Sequence, residues 1–337
     1  MVLILIVIGI QHWPPSVLVI LAGPTGGYFE KTALLLKKEL KEKYNIDVLI
    51  KQREDTLNII KDVNDPRSGV SVGFVAQDIK ANAYPNVTSL GSIVMQPLFI
   101  FAQADSNIGS LSELRGKRLV GSYEALVKNE ADIGFFLLAA KTPLVSRIAD
   151  NPYLQLLGLA DAQAVAARLG YPSPITLNRG MLGLSPATPP EPIGAVGLPV
   201  TIVANKSINS AHAVAIATVL KESFHDSDLV TPRGTFPSLS ILGHLPANRF
   251  AADIYQREMG YVPFLYQHLP FRIAGLVEQT LALLGLTLTM FFIYNYSGLP
   301  KPYELWQRAR ARSYLEQFER LQQKATFEQL SEKDYKK

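Results

Sequence analysis

The sequence predicts an α/β fold with largely parallel sheets, and three observations predict it. An apolar run Val17-Leu18-Val19-Ile20-Leu21 meets the turn Gly23-Pro24-Thr25-Gly26-Gly27-Tyr28 and then a helical pattern from Phe29, which is a strand, a glycine turn and a helix. Apolar strand-like runs then alternate with helical patterns through the middle of the chain, as in folds of βα units. The length of 337 residues and an apolar content of 48% provide for two domains with real cores, at roughly 100 to 200 residues each.

Taken in order, the first helix runs to about Lys43, and Asp47-Val48-Leu49-Ile50 reads as the second strand. Asp55 or Thr56 can cap a helix over Leu57 to Val63, and Val70 to Val75 returns as a third strand ending at Gln77-Asp78. A second unit begins after Leu98-Phe99-Ile100-Phe101-Ala102, with a short helix over Ile108 to Leu114 and a strand at Leu119-Val120-Gly121. Further units follow: Ala131 to Phe136 into a helix around Leu144 to Ile148, then Leu154 to Leu157 into Asp161 to Leu169. The proline-rich stretch Pro186 to Pro192 reads as a surface loop, Pro199 to Ala204 as a strand, and Ser210 to Phe224 as a helix with apolar spacing.

In open α/β sheets ligands sit beyond the carboxyl ends of the strands. Three such ends should therefore bring Thr25, Gly26, Gly27 and Tyr28, the Asp55 to Asn58 segment with Thr56 and Asn58, and Gln77-Asp78 to one crevice. The glycine turn is a candidate anion cradle, because backbone N–H groups there can approach a ligand and the first helical turn adds unpaired donors and a positive dipole. It can equally be a strand-to-helix turn that binds nothing. The spacing fits neither Gly-x-x-x-x-Gly-Lys-Ser/Thr nor Gly-x-Gly-x-x-Gly, so neither nucleotide motif is present.

The net charge of +4 and isoelectric point near 9.0 come from positive residues spread along the chain without an aromatic-basic recognition motif, so nucleic acid is not an expected partner. The absence of cysteine removes disulfides, thiol catalysis and thiolate metal sites together. The histidines at 12, 212, 225, 244 and 268 form no Glu-x-x-His or His-x-x-x-His pair, and no Gly-x-Ser-x-Gly accompanies them, so no catalytic residue, metal or cofactor is expected.

Two segments suggest a membrane. Met1 to Ile10 is wholly apolar but short, the remnant of a signal or anchor or else a buried first strand. Ile273 to Tyr294 approaches the roughly 20 residues of a bilayer span, with Glu278 and Gln279 placed to meet an interface or a partner helix, or else it is a buried amphipathic helix of a soluble domain. Lys301, Arg308, Arg310 and Arg312 follow it, with Tyr296, Tyr303 and Trp306 as interfacial aromatics, so the C-terminus is expected on the cytoplasmic side.

Several of these stretches together resemble the TAXI family of TRAP-transporter solute-binding proteins, in its C-terminally membrane-anchored subgroup. The residues are Gly23 to Tyr28, Asn58, Val72 to Asp78, Leu111-Ser112-Glu113-Leu114-Arg115-Gly116-Lys117-Arg118, Glu130-Ala131-Asp132-Ile133-Gly134-Phe135-Phe136, and a tail of Leu265 to Phe271, the anchor and the basic helix around Arg308 to Tyr314. The resemblance implies a two-lobed, periplasmic-binding-protein-like (type II) fold plus a C-terminal transmembrane helix. It implies an N-terminal remnant at 1–13, one lobe from 17–98 and 205–265, a second from 99–204, a span at 271–296 and a basic cytoplasmic tail at 297–337. It also implies capture of a small organic acid or amino acid by hinge closure, docking on a TRAP-type permease in the bacterial inner membrane, and lobes in the periplasm. Phe135 or Phe136, with Phe136 preferred, would floor the second-lobe side, although aromatics on a buried strand are commonly plain core.

The chain departs from that pattern where Ser122 runs directly into Tyr123 to Asn129, omitting about one helix-strand pair and shortening the second lobe. It also carries Glu54-Asp55 where the family has Gly-Ser, which sets negative charge against an anionic solute. Both departures predict weak binding. They keep open the alternative of a membrane-tethered sensor or interaction protein that retains the fold.

Overall fold

The six-residue strand β1 (Val17–Ala22) is the centre of the first lobe. The computed structural model describes residues 17–106, 108, 111–239, 245–256, 269, 271–296, 306, 310–320 and 322–323. The expectations for 1–13, Lys301, Tyr303 and Arg308, and nearly all of the 265–271 segment, fall outside them.

β1 pairs in parallel with β2 (Asp47–Gln52) on one side and β3 (Val72–Val75) on the other, so the parallel three-stranded core is present as the alternation implied. Helix α1 (Tyr28–Tyr44) crosses from β1 to β2 and buries Ala33, Leu36 and Leu40, spaced three and four residues apart, against Leu18, Ile20 and Phe74. On the opposite face α2 (Ile59–Asn64) buries Ile59, Ile60 and Val63. It lies so close to β3 that a Cβ on Gly73 would come within 2.6 Å of the Ile59 Cγ2 and 2.8 Å of the Val63 Cγ2. The predicted single helix over 57–63 is instead a 3-10 turn, Thr56–Asn58, leading into α2. Asp55 causes the difference: its carboxylate accepts from the Leu57 N–H at 3.1 Å and from the Asn58 amide, which winds the entry tight.

Two long strands tie the lobes together. β4 (Val87–Gln103) and β11 (Ile193–Asn205) pair antiparallel from Gly197 opposite Pro97 to Asn205 opposite Val87. β11 also pairs antiparallel with β3, giving the continuous order β2-β1-β3-β11-β4-β6-β5 with β6 (Ile133–Leu137) and β5 (Leu119–Val120), so the sheet is mixed and not largely parallel as the alternation predicted. At Gly91 the β4 backbone takes φ +125, and a Cβ there would meet the Tyr255 ring at 3.0 Å. Tyr255, on α7 (Arg249–Gln256), fills that space and donates to the Leu90 carbonyl at 2.7 Å. α6 (Ser210–Ser223), capped by Asn209, packs beside it on the first lobe's core.

The second lobe uses the other halves of the same strands. β4 pairs with β6 and with β7 (Leu154–Leu157), and β11 with β8 (Ser173–Leu177). α3 (Tyr123–Val127) and α4 (Pro143–Ala149) cover one side around Phe99, Phe101, Leu126 and Phe136, and α5 (Ala162–Leu169) covers the other around Ile100, Ile133 and Val196. β5 runs through Ser122, the cap of α3, directly into that helix. The proline-rich stretch contains one arm of a hairpin, β9 (Gly183–Leu184) with β10 (Ala187–Thr188). Within the described part of 108–114 there is a 3-10 turn, Leu111–Leu114.

The chain divides into two units, 1–278 and 279–337, with the boundary inside the 26-residue helix α8 (Phe271–Tyr296). Among the described residues no helix is long and apolar enough to cross a membrane. Within α8 the side chains at 271, 272, 276, 278–280, 282, 283 and 294–296 lie outside the described ones. In the second unit residues 310–320 are helical, and the Arg310 guanidinium lies 4.9 Å from the Trp306 ring centre and 6.0 Å from that of Tyr314.

Candidate functional site

The carboxyl ends of β1 and β3 open onto a cleft of about 350 Å³. Its walls are the 23–29 turn and helix start, Thr56 and Leu57, Ala76 and Gln77, with Gln96 from β4 and Leu137 and Leu138 from the end of β6 facing them. Of the nine predicted site residues, Gly27, Tyr28, Thr56 and Gln77 line this cleft.

The other five do not, for separate reasons. The Gly26 N–H is spent on the chain's own Glu30, donating to its carboxylate at 2.5 Å, and Gln52 holds the other oxygen of that carboxylate. Thr25 donates to the Gln52 side-chain amide oxygen at 3.2 Å, and the carboxylate one turn up the helix thus takes the Gly26 donor of the expected anion cradle. Asn58 turns back onto Asp55, and Asp78 is exposed beyond the strand end. Phe136 is core, 4% exposed with its ring 6.2 Å from Phe101. Successive strand residues face opposite sides, so the cleft receives Leu137 instead.

Among the described residues the polar side chains that line the cleft are uncharged. Gln77 donates to the Leu57 carbonyl at 3.1 Å, which pins the 3-10 turn to the end of β3. Burial pushes the Tyr28 phenol well above its ordinary range; the Thr32 hydroxyl opposes this in part and the negative charge of Asp228 adds to it. Asp228 sits on the segment after α6, where its Oδ1 accepts from the Leu229 N–H and its Oδ2 is buried without a hydrogen-bond partner among the described residues. Lys141 of the second lobe reaches the same segment, donating to the Ser227 carbonyl at 3.1 Å with its Nζ 4.0 Å from Asp228. Val230 from that segment packs on the second lobe's core, while Ser238 pairs with Ser92 of β4.

Gln96 is the residue that sequence reasoning missed. Its side chain lines the cleft from a residue only 5% exposed, and its carboxamide has no hydrogen-bond partner among the described residues. The signal was a glutamine between apolar residues in Ile93-Val94-Met95-Gln96-Pro97-Leu98, an uncharged polar group inside a buried strand. Among the described residues no three His, Asp or Glu side chains are grouped as metal ligands would be.

No protein-family model matches the chain, and no curated protein does. Among solved structures it is similar to the GluR0 ligand-binding core from Nostoc punctiforme in complex with L-glutamate, at 15% identity, covering 61% of this chain and 92% of that one with a TM-score of 0.40. It is similar to R. palustris Rpa4515 with adipate, at 14% identity, covering 66% and 91% with a TM-score of 0.41. A third is the probable amino-acid ABC transporter extracellular-binding protein ytmK from Bacillus subtilis, at 13% identity, covering 63% and 94% with a TM-score of 0.39.

Proposed function

We propose that the chain captures a small solute between its two lobes and serves as the solute-binding subunit of a TRAP-type transporter. The observation that carries the reading is the cleft itself: lobes joined by β4 and β11 face each other across about 350 Å³, with strand ends and a helix start on one wall and apolar residues on the other. The organic acids and amino acids that the TAXI resemblance implies are the first panel to screen. A thermal-shift screen of the full chain tests the reading, because a ligand that binds only the folded state raises the melting temperature by mass action. A shift with some member that Tyr28→Ala reduces supports it, and no shift with any small solute defeats it.

The permease and the membrane belong to the same proposal. In it α8 spans the inner membrane, the lobes lie in the periplasm and the arginine-rich tail in the cytoplasm. What supports this part is that the described side chains of α8 from Leu284 to Ile293 include exposed Leu286, Met290, Phe291, Phe292 and Ile293, an apolar stretch suited to contact with lipid. Retention of the chain in membranes through carbonate extraction is expected, and its release would overturn this part.

A further inference from the structure

We propose that the cleft selects an uncharged solute, a carboxamide on a short apolar body, and rejects carboxylates and ammonium ions. The inference rests on the solute-binding reading and separates the ligand from the organic acids and amino acids with which that screen begins. No Lys, Arg, His, Asp or Glu is among the described residues that line the cleft; Tyr28 is the one ionisable residue among them, a phenol neutral at pH 7 whose titration burial pushes further up. A carboxylate is best held by a counter-charge, yet the described lining residues carry none, the Gly26 amide already serves Glu30, and the negative charge of Asp228 acts on Tyr28. An ammonium needs an anionic acceptor, and none is among the described lining residues. Either ion would be desolvated without a counter-charge.

The groups that remain match an amide. Gln96 is a buried carboxamide with both a donor and an acceptor to offer, so a second carboxamide can complete it with two hydrogen bonds. A ligand that pairs with both groups of that carboxamide is favoured over one that pairs with one or neither. Phe29, Pro24, Leu57, Leu137 and Leu138 provide for the apolar body.

Three probes of one shape, hexanamide, hexanoate and hexylamine at pH 7, separate the possibilities by calorimetry on the full chain. Hexanamide is expected to bind about tenfold or more tightly than either ion, and Gln96→Leu to reduce its affinity about tenfold to hundredfold. Gln96→Glu should reverse the order in favour of hexylamine, and a melting curve of each variant confirms that it still folds. Tighter binding of hexanoate, or hexanamide binding unchanged in a folded Gln96→Leu, overturns the amide assignment while leaving solute capture standing. If the screened solutes and all three probes fail to bind, both readings fall.

Discussion

The wall built on β1 and β3 and the wall built on β6 offer a solute different things. The first brings Tyr28, Thr56 and Gln77 to the cleft from strand ends and helix starts, whereas among the described residues the second brings Leu137 and Leu138. In the proposed capture of a solute, orientation would reside in one lobe and in Gln96 between them, and the other lobe would exclude water. The first lobe's sheet is sandwiched between α1 and α6 on one face and α2 on the other, so its polar side chains rest on fully buried Phe74, Leu18 and Ile59.

The sharpest way to break this comparison is a pair of core truncations. Phe74→Ala and Phe101→Ala each remove a fully buried ring and should each cost about 3–5 kcal/mol of stability in denaturant unfolding. Phe74 stacks on Phe29, which lines the cleft, at 5.3 Å between ring centres, so Phe74→Ala should also weaken binding. Phe101→Ala should leave it nearly intact; equal loss of affinity in both would show that the second wall orients the solute too. Next in size, Gly91→Ala should cost about 1–3 kcal/mol, since it combines a left-handed backbone with a clash against Tyr255. A melting temperature unchanged by that substitution would remove β4's bend from the account.

Smaller effects lie on the second lobe. Lys141 is well exposed and 4.0 Å from Asp228, so Lys141→Ala should lower stability by no more than about 1 kcal/mol. It should speed amide exchange in 225–231 more than elsewhere, and uniform exchange rates would count against a link there. Asp132 accepts from the Arg118 guanidinium and backbone N–H, which holds its carboxyl at about 2, below its ordinary 3.8. A lowered folded value means that this clamp contributes in full above about pH 4 and is lost as pH falls toward 2. Carboxyl resonances should show Asp132 titrating near 2 and returning toward its ordinary range in Arg118→Gln; a midpoint near 4 in the unmodified chain would refute the clamp.

The legible parts of the fold are those where one physical signal dominates. β1, its glycine turn and α1 follow from an apolar run and helical spacing, and Leu154–Leu157 matches its strand to the residue. The first half of β4 lies outside the strands named from sequence: Ser89, Gly91, Ser92 and Pro97 interrupt its apolar run, yet they sit in a strand buried on both faces and bent at Gly91. β11 likewise starts at Ile193, ahead of Pro199, because its pairing passes from β8 to β4 along its length. At the site, strand ends located Tyr28, Thr56 and Gln77. What pattern could not supply was the one-residue choice between Phe136 and Leu137, or the side-chain bond that turns Glu30 onto Gly26.

The segment after α6 gives the lobes a third connection beside the two strands: it leaves the first lobe, lays Val230 on the second lobe's core beside Lys141, and returns to β4 at Ser238. If solute enters by parting the lobes, these contacts must be released before the walls can separate. Entry is then an activated event, and the association rate reports the lifetime of a catch more than the frequency of collisions. A cleft so restrained would take up solute slowly and hold it long at modest affinity.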